Sequence, residues 1–345
     1  MQDRIWRVVQ WATGNIGSRA LRTVIEHPRM ELVGLWVSSP GKVGKDAGEL
    51  CGLPATGVKA TGSLEDIVRL DADCVLYMRQ GTDWDELCAL LESGKNVVTT
   101  RGDFHNPRLM DKDLRARIEA ACARGGTSIH STGSSPGFVT EALAIPLLSL
   151  ERRHGVLTID EYADVSSRDS PEMLFQVMGF GAEMAPFDQR RAEHLKGEFG
   201  ASLSQVADAM GLEIDAIEAF GELSATKRDL AIAAGTVPAG TVGAMRTTIT
   251  CLSGGEPVMR FRANWYVTTE IEQDWDLRES GWRVTTGGDA PVRMEITFPV
   301  APEDYAAFTP GLTAHRPVNA IPAVCAAAPG IRTTVDLPQI VPIFA

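Results

Sequence analysis

Apolar residues in the first third of the chain alternate between two rhythms. Residues 5–11, 31–37, 73–78, 96–100 and 127–131 are short apolar or β-branched runs, which predict strands. Between them the spacing is helical: over 15–27 the apolar positions are Ile16, Ala20, Leu21, Val24 and Ile25. A helix is predicted over 63–70, opened by a capping box of Ser63 and Asp66. Another runs over 82–92, capped by Thr82 and stopped by Gly94. A third reaches Ala123, with Asn106 as N-cap and Pro107 at the first position, and Gly125-Gly126 leads into the next strand. About five such units predict an α/β fold, a doubly wound parallel sheet of the Rossmann type over residues 1–137.

Beyond Gly137 the rhythm changes. A helix is expected over 138–150, then longer alternating strands at 156–165, 245–252, 258–267 and 292–300. These predict a C-terminal α+β domain, 138–305, built on a mostly antiparallel sheet. Ser253-Gly254-Gly255-Glu256 is its hairpin turn, and 188–219 a helical insertion. A helix-like stretch over 313–331 and a Pro-rich end, 337–345, form a segment (306–345) expected to return to the first domain.

Composition narrows the partner. With 33 Lys plus Arg against 45 Asp plus Glu, the net charge is −12. Neither a nucleic acid nor an anionic membrane attracts such a chain, so a small soluble ligand is the expected partner. No apolar run reaches the roughly 20 residues of a membrane span, and the start has no signal-peptide layout, so a cytoplasmic location is expected. Six scattered cysteines form no CxxC pair, and no HExxH or Gly-x-Ser-x-Gly is present. No metal site and no hydrolase chemistry are therefore expected.

Directly after the first strand comes Ala12-Thr13-Gly14-Asn15-Ile16-Gly17, and then the first helix. This is the dinucleotide fingerprint with alanine at its first glycine. Gly14 leaves room for a pyrophosphate, Gly17 lets the helix pack on the sheet, and the helix N-terminus offers free amides. An NAD site places an acidic residue at the end of the second strand; here Ser38, Ser39 and Lys42 stand there, with Lys45 nearby. That favours NADP, with NAD the alternative; the competing reading of both lysines is solvated loop charge.

The crevice of an open parallel sheet lies beyond the carboxyl ends of its strands. That nominates Met78, Arg79, Thr99 and Thr100 as cofactor contacts, and Asp103 and His105 as the nearest proton-handling groups. Their plainer readings are a turn-shaping aspartate and an exposed loop histidine.

Several segments together carry a resemblance: VVQWATGNIGSRALRTVIEHPRMELVGLWVSSPGKVGKDAGEL, GKNVVTT, STGSSPGF, YADVSSRDSPEMLF and TAHRPVNAIPA. The chain resembles the dihydrodipicolinate reductase-like branch that includes 2,4-diaminopentanoate dehydrogenases and native amine dehydrogenases. The resemblance implies a nicotinamide-dependent oxidoreductase acting on C=N or C=O. It also implies a homodimer whose second domain dimerises and covers the site. Ser135, Arg168, Thr313 and His315 would then contact substrate, and Asn319 the nicotinamide. The chain departs from the amine-forming members at Gly102, where they carry a glutamate, and at Ser135, where they carry an asparagine. The His-His and Lys signature of true dihydrodipicolinate reductases is missing. The leading expectation is an NAD(P)H-dependent carbonyl or imine reductase, or amine dehydrogenase-like enzyme. The alternative is an inactive nucleotide-binding sensor of the same fold.

Overall fold

A computed structural model of the chain describes residues 4–301 and 304–344. In chain order it begins with β1 (Trp6–Trp11), α1 (Asn15–Glu26), β2 (Met30–Trp36), α2 (Ala47–Cys51), β3 (Ala60–Thr61), α3 (Leu64–Val68) and β4 (Cys74–Tyr77). Then follow α4 (Trp84–Glu92), β5 (Asn96–Thr99), α5 (Lys112–Gly125) and β6 (Ser128–Ser131). A second group comprises α6 (Ala144–Leu148), β7 (Leu157–Asp164), α7 (Gln189–Ala209), β8 (Ala216–Ala225), β9 (Leu230–Ile232), β10 (Gly235–Val237) and β11 (Val242–Ser253). It continues through β12 (Glu256–Tyr266), β13 (Gly281–Thr285) and β14 (Arg293–Thr297); α8 (Tyr305–Ala326) and β15 (Gly330–Arg332) close the chain.

The contacts divide the chain into two units: residues up to Phe138 together with those from Thr309 onward, and Val139–Phe308. Among the described residues of the first, seven strands form a parallel sheet in the order β15-β6-β5-β4-β1-β2-β3. Both faces are covered, as alternation along β1 requires. Val9 and Trp11 pack with Leu87, Leu91, Ile118 and Cys122 of α4 and α5. Val8 packs on the other face with Ala20 and Val24 of α1 and with Val318 and Ile321 of α8.

Among the described residues of the second unit, six strands are ordered β14-β13-β7-β12-β11-β8. Every neighbouring pair is antiparallel except β7 with β12. The predicted hairpin forms, with Ser253 opposite Glu256 and Gly254 and Gly255 both at positive φ. An α/β fold with a parallel Rossmann-type sheet and a mostly antiparallel second sheet is thus what the chain adopts. Among the described residues no helix is long and apolar enough to cross a membrane.

Local chemistry moves several expected boundaries. Asp83, not Thr82, caps α4, accepting from the amides of Asp85 and Glu86; the Thr82 hydroxyl points to Asp103. Asp111 caps α5, while Asn106 closes a separate turn through the Arg108 amide. Ser63 caps α3 as predicted, but the Asp66 carboxylate accepts from the Thr61 hydroxyl, leaving the box half made. The helix expected over 138–150 is two pieces: a wide turn, Ser134–Ala142, broken at Ser135, Pro136 and Gly137, then α6. Residues 216–219 begin strand β8 rather than ending the insertion helix, the helix-like stretch expected over 313–331 ends at Ala326 and gives way to β15, and β3, β9, β10 and β13 had no matching expectation.

Candidate active site

The site begins with a single turn. β1 ends at Trp11, and Ala12 turns the chain with φ of +73°, where the fingerprint's first glycine ordinarily stands. The Ala12 amide donates to the Trp36 carbonyl at 2.9 Å, so the turn is tied to the end of β2. Gly14 then caps α1. A Cβ built on Gly14 would meet no protein atom within 4 Å, whereas one on Gly17 would lie 2.3 Å from the Ala12 carbonyl oxygen. The two glycines therefore differ in purpose. Gly17 permits close packing of helix on turn, and Gly14 leaves open space at a helix N-terminus whose first amides lack intrahelical partners.

That space is the floor of a cleft of about 590 Å³. Ala12, Thr13, Gly14, Asn15 and Ile16 line one side, and Val37, Ser38, Ser39 and Lys42 the flank beyond β2. Met78, Arg79 and Gln80 come from the end of β4, Thr100 and Arg101 from the end of β5. The lining thus carries Lys42, Arg79 and Arg101 and no acidic side chain, within a chain of net charge −12. Such a cleft concentrates an anion.

The three cations differ in how they are held. Lys42 Nζ donates to the carbonyl and hydroxyl of Thr13, each at 3.0 Å, and so closes over the fingerprint turn. Arg79 pairs with Glu86 and lies over the Trp36 ring, 5.7 Å from its centroid. Trp36 in turn stacks on Trp11 at 4.4 Å, and Trp11 on Tyr77. Desolvation pushes the Tyr77 hydroxyl up to about 12, and it accepts from the Asp83 amide. Arg101 meets Asp103 at 3.5 Å through a buried Nε that makes no hydrogen bond.

Asp103 is half-buried; its Oδ2 accepts from the Thr82 hydroxyl at 3.0 Å, and no hydrogen bond to Oδ1 is made among the described residues. His105 is buried. Thr99 is fully buried below the cleft, its hydroxyl donating to the Tyr77 carbonyl at 2.6 Å and accepting from the Arg101 amide. Neither Gly17 nor Asn319 is among the lining residues. Val37, Gln80 and Arg101 are, although no sequence pattern marks them as contacts; Gln80 and Arg101 directly follow the expected contacts Arg79 and Thr100.

The loop after β6 is joined to that after β5: the Thr132 amide donates to the Thr99 carbonyl at 2.9 Å, and the Ser131 hydroxyl to that of Arg101. Beyond it Ser134 and Thr313 share a hydroxyl hydrogen bond of 2.7 Å, and the Ser135 Oγ is buried without a partner. His315, on the same helix as Thr313, has its pKa lowered by desolvation and by the Arg19 guanidinium. Arg168 belongs to the second unit, where its amide donates to Val165 just after β7.

A nicotinamide dinucleotide fits these residues: an open cradle at Gly14, a helix N-terminus, and Lys42, held by the Thr13 oxygens, beside two arginines that also meet Glu86 and Asp103. Comparison with known proteins agrees. Residues 171–345 match the family model of the 2,4-diaminopentanoate dehydrogenase C-terminal domain, and residues 8–106 that of the dihydrodipicolinate reductase N-terminus. An amine dehydrogenase of Streptomyces virginiae is 28% identical over 343 residues, covering 96% of this chain and 95% of the relative. A 2,4-diaminopentanoate dehydrogenase of Acetoanaerobium sticklandii is 24% identical over 286 residues, covering 80% and 77%. The solved structure of an amine dehydrogenase from Mycobacterium smegmatis shares the fold, with a TM-score of 0.75 at 21% identity and 97% of each chain covered.

Proposed function

The chain belongs to the 2,4-diaminopentanoate dehydrogenase C-terminal domain family, and from that premise we propose an NAD(P)-dependent oxidoreductase, preferring NADP, that acts on a C=O or C=N group. The observation that carries the reading is the Gly14 cradle, open at a helix N-terminus in an acid-free cleft. Bound there, the nicotinamide supplies or accepts a hydride. Gly14 and the first turn of α1 hold the pyrophosphate. Ser38, Ser39 and Lys42 face the adenosine end, where a 2′-phosphate finds a cation and no carboxylate to repel it. Met78, Arg79 and Thr100 flank the rest of the dinucleotide, with Asn319 assigned to its nicotinamide end.

Asp103 is proposed to handle the proton, because Thr82 orients its carboxylate while Oδ1 is left for substrate; His105 is the second candidate. Substrate contacts are assigned to Ser135, Thr313, His315 and Arg168. The substrate is a small or medium carbonyl or imine compound, and the active form a cytoplasmic homodimer.

The test is a titration of the purified protein with NADPH and NADH, followed by nicotinamide fluorescence, then a carbonyl panel with and without ammonium. Tighter NADPH binding and turnover support the reading; binding of neither nucleotide sinks it. Gly102, standing where the amine-forming members carry glutamate, favours a second reading, a sensor that binds nucleotide without turnover. Cofactor binding with no oxidation on any panel member would select it. Sedimentation velocity tests the dimer.

A further inference from the structure

A parallel strand covered on both faces is ordinarily apolar through its middle. β1 breaks that rule at Gln10, which is fully buried between Val9 and Trp11. The amide is incompletely satisfied, since its Oε1 is buried without a partner. A buried acceptor left unpaired is destabilising, so the residue calls for a reason other than packing. Its nitrogen supplies one. Nε2 donates to the Ala12 carbonyl at 2.9 Å, with a longer contact of 3.5 Å to the Trp11 carbonyl. Turning the amide over would set oxygen against both carbonyl oxygens, which fixes its orientation.

The Ala12 carbonyl is also where the fingerprint turn is tightest. Ala12 is one of two non-glycine residues at positive φ among the described residues, the other being Asp276. A side chain in that conformation brings Cβ against the backbone, a strain that glycine lacks. A Cβ on Gly17 would lie 2.3 Å from the same carbonyl oxygen and 3.2 Å from Gln10 Nε2. Gln10, Ala12 and Gly17 thus form one contact set beneath the loop whose Gly14 opens into the cleft.

We propose that Gln10 is a positioning residue for the dinucleotide loop, holding the Ala12 carbonyl so that a residue with a side chain keeps the left-handed turn the fingerprint ordinarily assigns to glycine. It touches no cofactor and acts through Ala12. The inference rests on the reading of this cleft as an NAD(P) site.

Gln10→Leu and Ala12→Gly, alone and combined in the full chain, test it by NADPH titration and thermal unfolding. Leucine removes the unpaired oxygen along with the brace, so the unfolding temperature is expected to hold or rise. The NADPH Kd of Q10L is expected to rise about tenfold, because the loop must regain a strained turn on binding. In the A12G background Q10L should change the Kd by less than about twofold relative to A12G alone, since glycine takes positive φ unaided. Should Q10L fail to fold, Gln10→Met removes the same hydrogen bond with an unbranched chain. Unchanged affinity in Q10L would overturn the proposal, as would a loss that follows the unfolding temperature and is as large in the A12G background. Failure of the unmodified chain to bind NADPH or NADH would instead overturn the cofactor reading beneath it.

Discussion

The two ends of the cleft are built by different means. At the end proposed for the adenosine the groups lie close together in sequence: Ala12, Gly14 and Gly17 in one turn, then Ser38 to Lys42 at the end of the neighbouring strand. Next to the other end, beyond the lining residues Thr100 and Arg101, Asp103 depends on Thr82, 21 residues earlier, and the loops after β5 and β6 are joined by Ser131 and Thr132. Between β2 and β5 lie β1 and β4, three interstrand spacings of about 4.8 Å, or about 14 Å. That distance suits an extended dinucleotide. On the proposed reading, one end is a backbone device that reads phosphate, and the other a set of side chains whose arrangement selects chemistry.

The largest expected effects fall on the backbone device and separate its two glycines. Gly17→Ala sets a methyl 2.3 Å from the Ala12 carbonyl oxygen, which must move. We expect a stability loss of about 2 kcal/mol together with loss of cofactor binding. Gly14→Val meets no protein atom at Cβ. Its unfolding temperature should stay unchanged while NADPH affinity falls about a hundredfold, or about 3 kcal/mol. Thermal unfolding and nucleotide titration of both variants check this, and equal destabilisation would erase the distinction between the glycines.

At the other end, Asp103→Asn is expected to lower turnover about a hundredfold on the best panel substrate while leaving the NADPH Kd unchanged. A fully active variant would remove Asp103 from the mechanism. A variant weak in NADPH binding would move Asp103 into the cofactor site and blur the contrast between the ends. Lys42→Ala should have a smaller effect: an NADPH Kd raised about tenfold with NADH within about twofold, the signature of a lost charge-assisted bond to the 2′-phosphate. Equal losses for both nucleotides would mean that Lys42 acts only through its hydrogen bonds to Thr13.

The same contrast governs what could be read from the chain. Five strands of the parallel sheet, the fingerprint turn and the Ser253–Glu256 hairpin were legible because each is a local pattern, whereas the edge strands β3 and β15, of two and three residues, are too short to show one. The caps of α4 and α5 were misplaced because Thr82, Asp83, Asn106 and Asp111 are all competent acceptors, and tertiary bonds decide among them. Asp103 takes the Thr82 hydroxyl, so Asp83 is the side chain that caps. Strand β8 was hidden behind a helical period that ends at Ala209, and its own alternation emerges only beside β11. Arg101 went unassigned because no spacing marks a guanidinium as facing a cleft.

The smallest expected effect probes how far the adenosine end is braced. Lys42 leads into α2, whose N-cap, Asp46, accepts from the amides of Gly48, Thr56 and Gly57 at 2.8–2.9 Å and from the Thr56 hydroxyl at 3.2 Å. The Thr56 amide hydrogen bond leads in holding its pKa down to about 2; burial opposes it, and the Gly48, Gly57 and Thr56 hydroxyl bonds add to the lowering. The folded value lies below the unfolded carboxylate's, about 3.9, so the carboxylate stabilises the fold above that pH and loses its contribution as pH falls through about 2. Asp46→Asn should therefore unfold about 2–4 °C lower at pH 7. Against the unmodified chain, that gap should narrow between about pH 4 and pH 2, because protonation makes the two side chains alike. A gap independent of pH would assign the stabilisation to the cap's shape rather than its charge. NADPH titration of the same variant sharpens the comparison: weaker NADPH with unchanged NADH would extend the phosphate-reading device from the fingerprint turn to the segment carrying Lys42, and unchanged binding of both would confine it to the turn.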